Sequence, residues 1–228
     1  MTSPTIRTID SNLPDITRPD VSTVLVSTWA VGTPDRQRAL AESFVARSES
    51  APWPGGLLSA SLFASTDGDT LLNYSQWSGE GSYREFAGYD IPGIERDGPV
   101  QYRLYRSRAH DNGPTPGCVV IVSVVFNGPD EQRQRRWVDT VFEAMESEAE
   151  PVAGGISGHF HLSTDGTRVL NYAEWADEEA HRLALRRSRQ GTIGSGPKWR
   201  DVIAFPGVVS GGFKRYRILE SLSRRTAA

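Results

Sequence analysis

The chain is poor in the features that most directly announce a function. Cys118 is its single cysteine, which excludes an internal disulfide and a thiolate metal cluster. It opens the apolar run Cys118–Phe126, where a buried thiol is the expected state. No apolar stretch approaches the roughly 18 residues of a membrane-spanning helix, and the N-terminus shows no charged region followed by an apolar core. A soluble, cytoplasmic protein is the expectation. Charge of one sign is lacking too. Lys and Arg number 25 against 28 Asp and Glu, and the formal net charge is −3. The densest basic cluster, Arg182, Arg186, Arg187 and Arg189, falls on a predicted helix and reads as its solvated face, so nucleic acid is not an expected partner. No metal-ligand motif and no glycine-rich dinucleotide fingerprint is found.

What the chain does have is a repeat. Ser65-Thr-Asp-Gly68 followed by Leu71-Leu-Asn-Tyr-Ser-Gln-Trp77 returns as Ser163-Thr-Asp-Gly166 followed by Val169-Leu-Asn-Tyr-Ala-Glu-Trp175. The offset is constant: 171 − 73 = 98 and 165 − 67 = 98. That period is too long for a solenoid unit and fits a small domain that has been duplicated and fused. With 38% hydrophobic residues, 228 residues supply one large core or two small ones.

Each copy carries the same order of elements. In the first, Val21–Trp29 is a β-branched strand, and Thr33-Pro34-Asp35 caps a helix whose apolar face holds Leu40, Ala41, Phe44 and Val45. Strands over 57–64 and 70–77 flank the Asp67-Gly68 turn, a shorter helix spans 78–89, and a last strand spans 100–107. The second copy repeats this with a strand over 119–126, a helix opened by Gly128-Pro129-Asp130, the Asp165-Gly166 hairpin, a helix over 177–189 and a closing strand over 212–219. Strand, helix, strand, strand, helix, strand is the split β-α-β, ferredoxin-like unit. The fold class is therefore α+β: an N-terminal arm (1–20), one ferredoxin-like domain (21–108), a Pro/Gly linker (109–117) and a second domain (118–228). Two helices cover one face of a four-stranded sheet. The other face then needs a partner, and sheet-to-sheet packing of the two copies as an internal pseudo-dimer is expected.

Alternation along a strand puts Asn73, Ser75 and Trp77 on one face, and Asn171, Ala173 and Trp175 on its counterpart. Centring the hairpins on Asp-Gly pairs Leu62 with Asn73, Ser61 with Tyr74, Phe160 with Asn171 and His159 with Tyr172. The opposite layer then holds Tyr74 and Gln76, or Tyr172, His159, His161 and Glu174. An amide and an indole separated by a small side chain leave a gap that a flat ring could fill. Asparagine is a poor strand former and costly to bury unpaired. The plainer role for each Asn is a bond to local backbone, and for each Trp simple core packing. Duplication copies structural residues as well as functional ones.

The Asn-x-x-x-Trp pattern at the end of the third strand, with Gly98-Pro-Val-Gln-Tyr-Arg-Leu-Tyr-Arg106 leading the last strand, resembles the antibiotic biosynthesis monooxygenase family, over residues 21–107 and 117–220. The resemblance implies a dimeric α+β barrel whose two subunits are here fused. It implies Asn73, Trp77, Asn171 and Trp175 as catalytic residues, with Arg96 and Arg200 as candidates for an arginine at the pocket mouth. It further implies a monooxygenase acting on a polycyclic aromatic of polyketide type, using O₂ without a metal or tightly bound cofactor and leaving a quinone. Two other readings stay open on the sequence. One is ring opening of angucycline type assisted by reduced flavin, and the other a non-catalytic binder of an aromatic ligand. The expected partners are that small molecule and O₂, and the protein is a monomeric pseudo-dimer or a homodimer.

Other residues are weighed against ordinary roles. His159 and His161 share a strand face, without an evident third metal ligand beyond Glu174, and packing is the plainer reading. Acid–base work follows only if substrate lies on that face. With Tyr74 and Tyr172 they are candidate substrate contacts. A haem-degrading relative would place a His two to three turns after the strand Trp, and His181 comes too soon, so haem is disfavoured. The loop 191–207 carries Trp199 and Phe205, which suggest a cover over an apolar pocket. Trp53, beside Gly55-Gly56, is a similar candidate in the first copy.

Overall fold

The computed structural model of the chain describes residues 7–10, 13–50, 53–79, 83, 96–110 and 114–224. In chain order the elements are β1 (Arg7–Asp10), β2 (Thr23–Ala30), α1 (Pro34–Ser50), β3 (Leu57–Ser65), β4 (Thr70–Trp77), β5 (Arg96–Ala109), β6 (Cys118–Phe126), α2 (Glu131–Glu146), β7 (Gly155–Ser163), β8 (Arg168–Trp175), α3 (Glu178–Ser188), α4 (Trp199–Ile203) and β9 (Val208–Arg224). Of the helix expected over 78–89, all but residues 78, 79 and 83 lie outside the described residues. None of the helices described is long and apolar enough to cross a membrane.

Packing divides the chain into two compact units. Unit 1 comprises Met1–Arg103 with Tyr216–Ala228, and unit 2 comprises Leu104–Arg215. In unit 1 the strands of the first copy lie in the order β3-β4-β2-β5, and in unit 2 those of the second copy lie β7-β8-β6-β9. Both are the split β-α-β order. The last strand of each copy is longer than the sequence suggested, 14 residues in β5 and 17 in β9. Up to Tyr102, β5 pairs with β2, and its remainder belongs to unit 2. From Tyr216 onward, β9 pairs with β3 in unit 1. The N-terminal arm, expected to be irregular, includes β1. This strand adds to β9 with Arg7 opposite Arg224 and Asp10 opposite Ser221. An open sheet edge recruits even a four-residue strand of β-branched character.

The helices pack as their apolar spacing dictates. Ala41 and Phe44 of α1 are buried against Trp29, Leu62, Ala64 and Leu71. Trp137, Val138, Val141, Phe142 and Ala144 of α2 are buried with Val124, Phe126, Phe160, Leu162 and Val169. Thr33 Oγ1 accepts from Arg36 N at 3.3 Å at the start of α1, and the Asp130 carboxylate accepts from Arg133 N at 2.9 Å at the start of α2.

The Ser-Thr-Asp-Gly half of the repeat is a turn device. The loop holds four residues rather than two, yet its centre is the same, so Leu62 does pair with Asn73 and Phe160 with Asn171. Gly68 N donates to Ser65 O, and Gly166 N to Ser163 O, each at 3.0 Å. Ser65 Oγ accepts from Thr70 N at 2.9 Å and donates to Asp67, and Ser163 does the same with Arg168 N and Asp165. Buried Gln37 and Gln134 then brace the two hairpin bases, donating to Thr70 O at 2.7 Å and to Arg168 O at 2.5 Å. Gly68 and Gly166 have positive φ, and a Cβ on either would press into Pro34 or Pro129. This half of the repeat is explained by folding alone.

Candidate active site

In the other half of the repeat, core packing accounts for the buried Trp77 and Trp175 but not for Asn73 and Asn171. In unit 1, β4 aligns Asn73, Ser75 and Trp77 on one face, flanked by Leu62 and Ala60 of β3 and by Ser27 and Leu25 of β2. Trp77 is buried with Leu25, Leu57 and Ala60, with Trp53 and Tyr83 at the margin. In unit 2, β8 aligns Asn171, Ala173 and Trp175, flanked by Phe160 and Gly158 of β7 and by Val122 and Val120 of β6. Trp175 is buried with Cys118, Val120, Ala173 and Ala184.

The amide oxygens of Asn73 and Asn171 are both sealed from solvent with no hydrogen-bond partner among the described residues. The plainer role for these side chains, a bond to local backbone, is not what either does. Leaving a buried polar atom unpaired costs on the order of 1–3 kcal/mol. Here the cost is met twice, at equivalent places. A half-turn about χ2 presents the amide N–H₂ group instead, so each side chain can offer either an acceptor or a donor to a ligand. Asn and Trp stand four residues apart on an extended strand, a Cα separation of about 13 Å, which suits the long axis of a fused tricycle.

A third member of each set went unread in the sequence. The ring of Tyr83 meets Trp77 edge-on at 6.5 Å between centroids, and His181 meets Trp175 in the same way at 4.8 Å. The offset is again 181 − 83 = 98, so the repeat itself carried the signal, hidden because the two residue types differ. The Tyr83 hydroxyl donates to Gln101 Oε1 at 2.6 Å. His181 accepts at Nδ1 from Arg215 Nε at 3.0 Å. Burial, followed by the nearby Arg215 charge, lowers the His181 pKa to about 4.

A cavity of about 500 Å³ opens in unit 2, lined by the 148–154 loop, Ala180, Leu183, Ala184 and Arg187 of α3, and Ile193–Ser195. Neither Asn171 nor Trp175 lines it. Its inner wall is nevertheless shared with the Trp175 cluster through Val152, Ala180, Ala184 and Ile193. The 191–207 loop therefore does contribute to a pocket wall, but through Ile193–Ser195. Trp199, on α4, is buried among Trp137, Phe142 and Phe160, and its Nε1 donates to Glu148 Oε1 at 2.7 Å. Phe205 packs edge-on against Phe126 at 6.5 Å, and Arg200 is exposed. The Arg96 side chain lies outside the described residues. Trp53 donates to Leu57 O at 2.7 Å at the edge of the Trp77 cluster.

Tyr74, Tyr172, His159 and His161 occupy the opposite sheet face, as alternation requires, and all four are buried. The structure does not bring them together with Asn and Trp. Burial pushes the Tyr74 hydroxyl well above its usual range. Burial, with the neighbouring His159 adding to it, brings His161 down to about 3. His161 Nδ1 lies 3.0 Å from His159 O, and His159 Nδ1 lies 2.9 Å from Ser107 Oγ. Glu174, on that face, accepts from Ser157 Oγ at 2.7 Å and has its carboxyl pKa raised by burial. Among the described residues no three His, Cys, Asp or Glu side chains gather as a metal site would require.

Solved structures share the fold of these ferredoxin-like units. An anthrone oxidase-like protein superposes with a TM-score of 0.67 at 16% identity, over 90% of this chain and 96% of its own. A Fusobacterium nucleatum protein superposes with a TM-score of 0.56 at 9% identity, over 92% and 98%. In sequence, the tetracenomycin-F1 monooxygenase of Streptomyces glaucescens is 36% identical over 69 residues, which are 30% of this chain and 60% of that enzyme. No family model matches the chain. The chain is thus similar in fold to an anthrone oxidase-like protein, and in sequence, over a stretch that spans 60% of the relative's length, to tetracenomycin-F1 monooxygenase.

Proposed function

We propose that this protein is a monooxygenase of polycyclic, polyketide-type aromatics that uses O₂ directly. The observation that carries this reading is the pair of partnerless amides, Asn73 and Asn171, each set along a strand from a buried indole. The likeness to tetracenomycin-F1 monooxygenase supports the substrate class.

The chemistry asks little of the protein. An anthrone-type ring CH₂, across the central ring from a carbonyl, loses one proton to base, giving a carbanion whose charge spreads through the flanking rings onto the carbonyl oxygen. That electron-rich ring passes one electron to O₂. The carbon radical and superoxide then combine through a new C–O bond. Protonation gives a hydroperoxide, and loss of water breaks its O–O bond and the remaining C–H bond to leave a quinone carbonyl. In sum, R₂CH₂ and O₂ become R₂CO and H₂O. The site has to hold the ring flat, exclude water and place a neutral donor on the developing oxyanion. An amide N–H and an indole N–H meet the last need without trapping the anion as an ion pair would.

Oxygen uptake with anthrone as substrate, with and without reduced flavin, tests this reading. One O₂ per quinone formed without flavin, lost in Asn171→Ala, is the expected result. Uptake that depends on reduced flavin moves the assignment to ring-opening chemistry. Binding without uptake under either condition makes the protein a ligand carrier.

A further inference from the structure

The two copies repeat the same pattern but do not offer the same site. In unit 1 the indole N–H of Trp77 is already used: it donates to Ser75 Oγ at 3.0 Å, and Ser75 Oγ itself lies 3.5 Å from Leu25 O. In unit 2 the residue at Ser75's place is Ala173, which has no acceptor, and the Trp175 indole N–H has no hydrogen-bond partner among the described residues. The strand neighbour differs in the same sense. Ala60 pairs with Ser75 and is buried, whereas Gly158 pairs with Ala173. A Cβ on Gly158 would stand 3.5 Å from both Asn171 Oδ1 and Phe160 Cε2, so its absence leaves a notch beside the amide.

We propose that unit 2 holds the binding-competent site, with Ala173 and Gly158 as the residues that keep it open, and that Ser75 closes the equivalent site in unit 1. The inference rests on the aromatic-substrate reading above and deepens it. A ring lying along β8 meets a free amide at one end and a free indole N–H at the other. A ring lying along β4 would meet the Asn73 amide, but at the far end an indole whose one donor is spent. Displacing the Ser75–Trp77 bond would take from the buried Ser75 oxygen the donor it accepts from, leaving its longer contact to Leu25 O, a cost that unit 2 does not face. The cavity of unit 2 is separated from the Trp175 cluster by small side chains, Ala180 and Ala184.

The test uses the full chain with ¹⁵N-labelled tryptophan. Its six indole N–H resonances are assigned by single Trp→Phe variants. The probe is 1,8-dihydroxyanthraquinone, a flat tricycle with no oxidisable CH₂. Addition is expected to shift the Trp175 resonance and leave Trp77 in place. Ala173→Ser is expected to weaken binding at least tenfold, whereas Ala173→Gly retains it, and unshifted resonances from the other indoles report that both variants are folded. A shift at Trp77, at both indoles or at neither overturns the proposal, as does full affinity in Ala173→Ser. Anthrone oxidation with no shift at Trp175 would sink this inference and leave the oxygenase reading standing. A Trp175 shift without any oxygen uptake would do the reverse.

Discussion

Arg215 donates from Nε to Nδ1 of His181 at 3.0 Å, and this one bond fixes the state of the imidazole. A ring nitrogen that accepts carries no proton, so His181 is the neutral Nε2–H tautomer. The ring is buried, edge-on to Trp175 on one side and to Phe213 on the other, at 4.8 and 5.0 Å between centroids. Its Nε2–H is thus a neutral donor one ring away from the candidate site. Charged groups around Arg215 are Arg182, Glu178 and Glu179.

The pH dependence of stability follows from that tautomer. His181 titrates near 4 in the folded chain and near 6.5 when unfolded, so between these values the unfolded chain binds the extra proton. The stability it contributes is complete above about pH 6.5 and is lost as pH falls toward 4. His161, lowered to about 3, acts in the same direction. Urea unfolding from pH 7 to 4.5 is expected to show a falling midpoint, and His181→Gln to flatten that fall by up to one proton. An imidazole resonance of His181 that titrates near 6.5 in the folded protein would contradict the tautomer assignment.

The hairpin braces predict a purely structural effect. Gln134 is fully buried and its Nε2 donates to Ser163 O and Oγ and to Arg168 O. Gln134→Ala leaves those acceptors short of a donor and is expected to cost about 1–3 kcal/mol in urea unfolding. Gln37→Ala does the same at the first hairpin. Aromatic-ligand affinity in the surviving folded fraction is expected to stay as in the parent, and a loss of affinity would show the hairpin bases to be part of the site.

Much of this was legible in the sequence because local rules and global fold agree. The hairpin registers were correct even though the loop is four residues long, because lengthening a turn evenly about Asp-Gly leaves the pairing sum unchanged. The irregularities between Leu57 and Ser59 and between Gly155 and Ser157 were not legible, since one extra residue in a strand carries no composition signal of its own. Neither was α4, because five residues are too few to show a period. For the candidate site, the sequence supplied Asn and Trp by repetition. It missed His181, because Tyr83 and His181 share a place but not a residue type. It grouped His159 and Tyr172 with the site as substrate contacts, while the same alternation that exposed the motif puts them behind the sheet.

The Glu148 carboxylate ties the 191–207 loop down at two points. Glu148 Oε1 accepts from Gly196 N at 2.8 Å and from Trp199 Nε1 at 2.7 Å. Gly194 lies so close to that pair that a Cβ would overlap the indole nitrogen. Gly194→Ala is therefore expected to push Trp199 out of its seat and to speed proteolysis within 191–207 severalfold relative to Trp199→Phe, which loses the bond but keeps the ring. Equal rates for the two variants would show that ring packing, not the Glu148 bond geometry, holds the loop.

Gly158 offers a substitution whose effects on stability and on binding run in opposite directions. A glycine inside a strand costs roughly 0.5–1 kcal/mol relative to alanine, because it has more backbone freedom to lose. The Cβ of Gly158→Ala would meet Asn171 Oδ1 and Phe160 Cε2 at 3.5 Å, ordinary contact rather than a clash, so the fold gains that increment without strain. The added methyl occupies the notch that a ring beside Asn171 needs. Gly158→Ala is thus expected to raise the urea midpoint while weakening 1,8-dihydroxyanthraquinone binding severalfold and lowering anthrone turnover with it. A structural glycine would give the contrary pattern, lower stability with affinity unchanged. The retention of a strand-weakening residue next to an unpaired amide is what a binding site requires and a folding core does not.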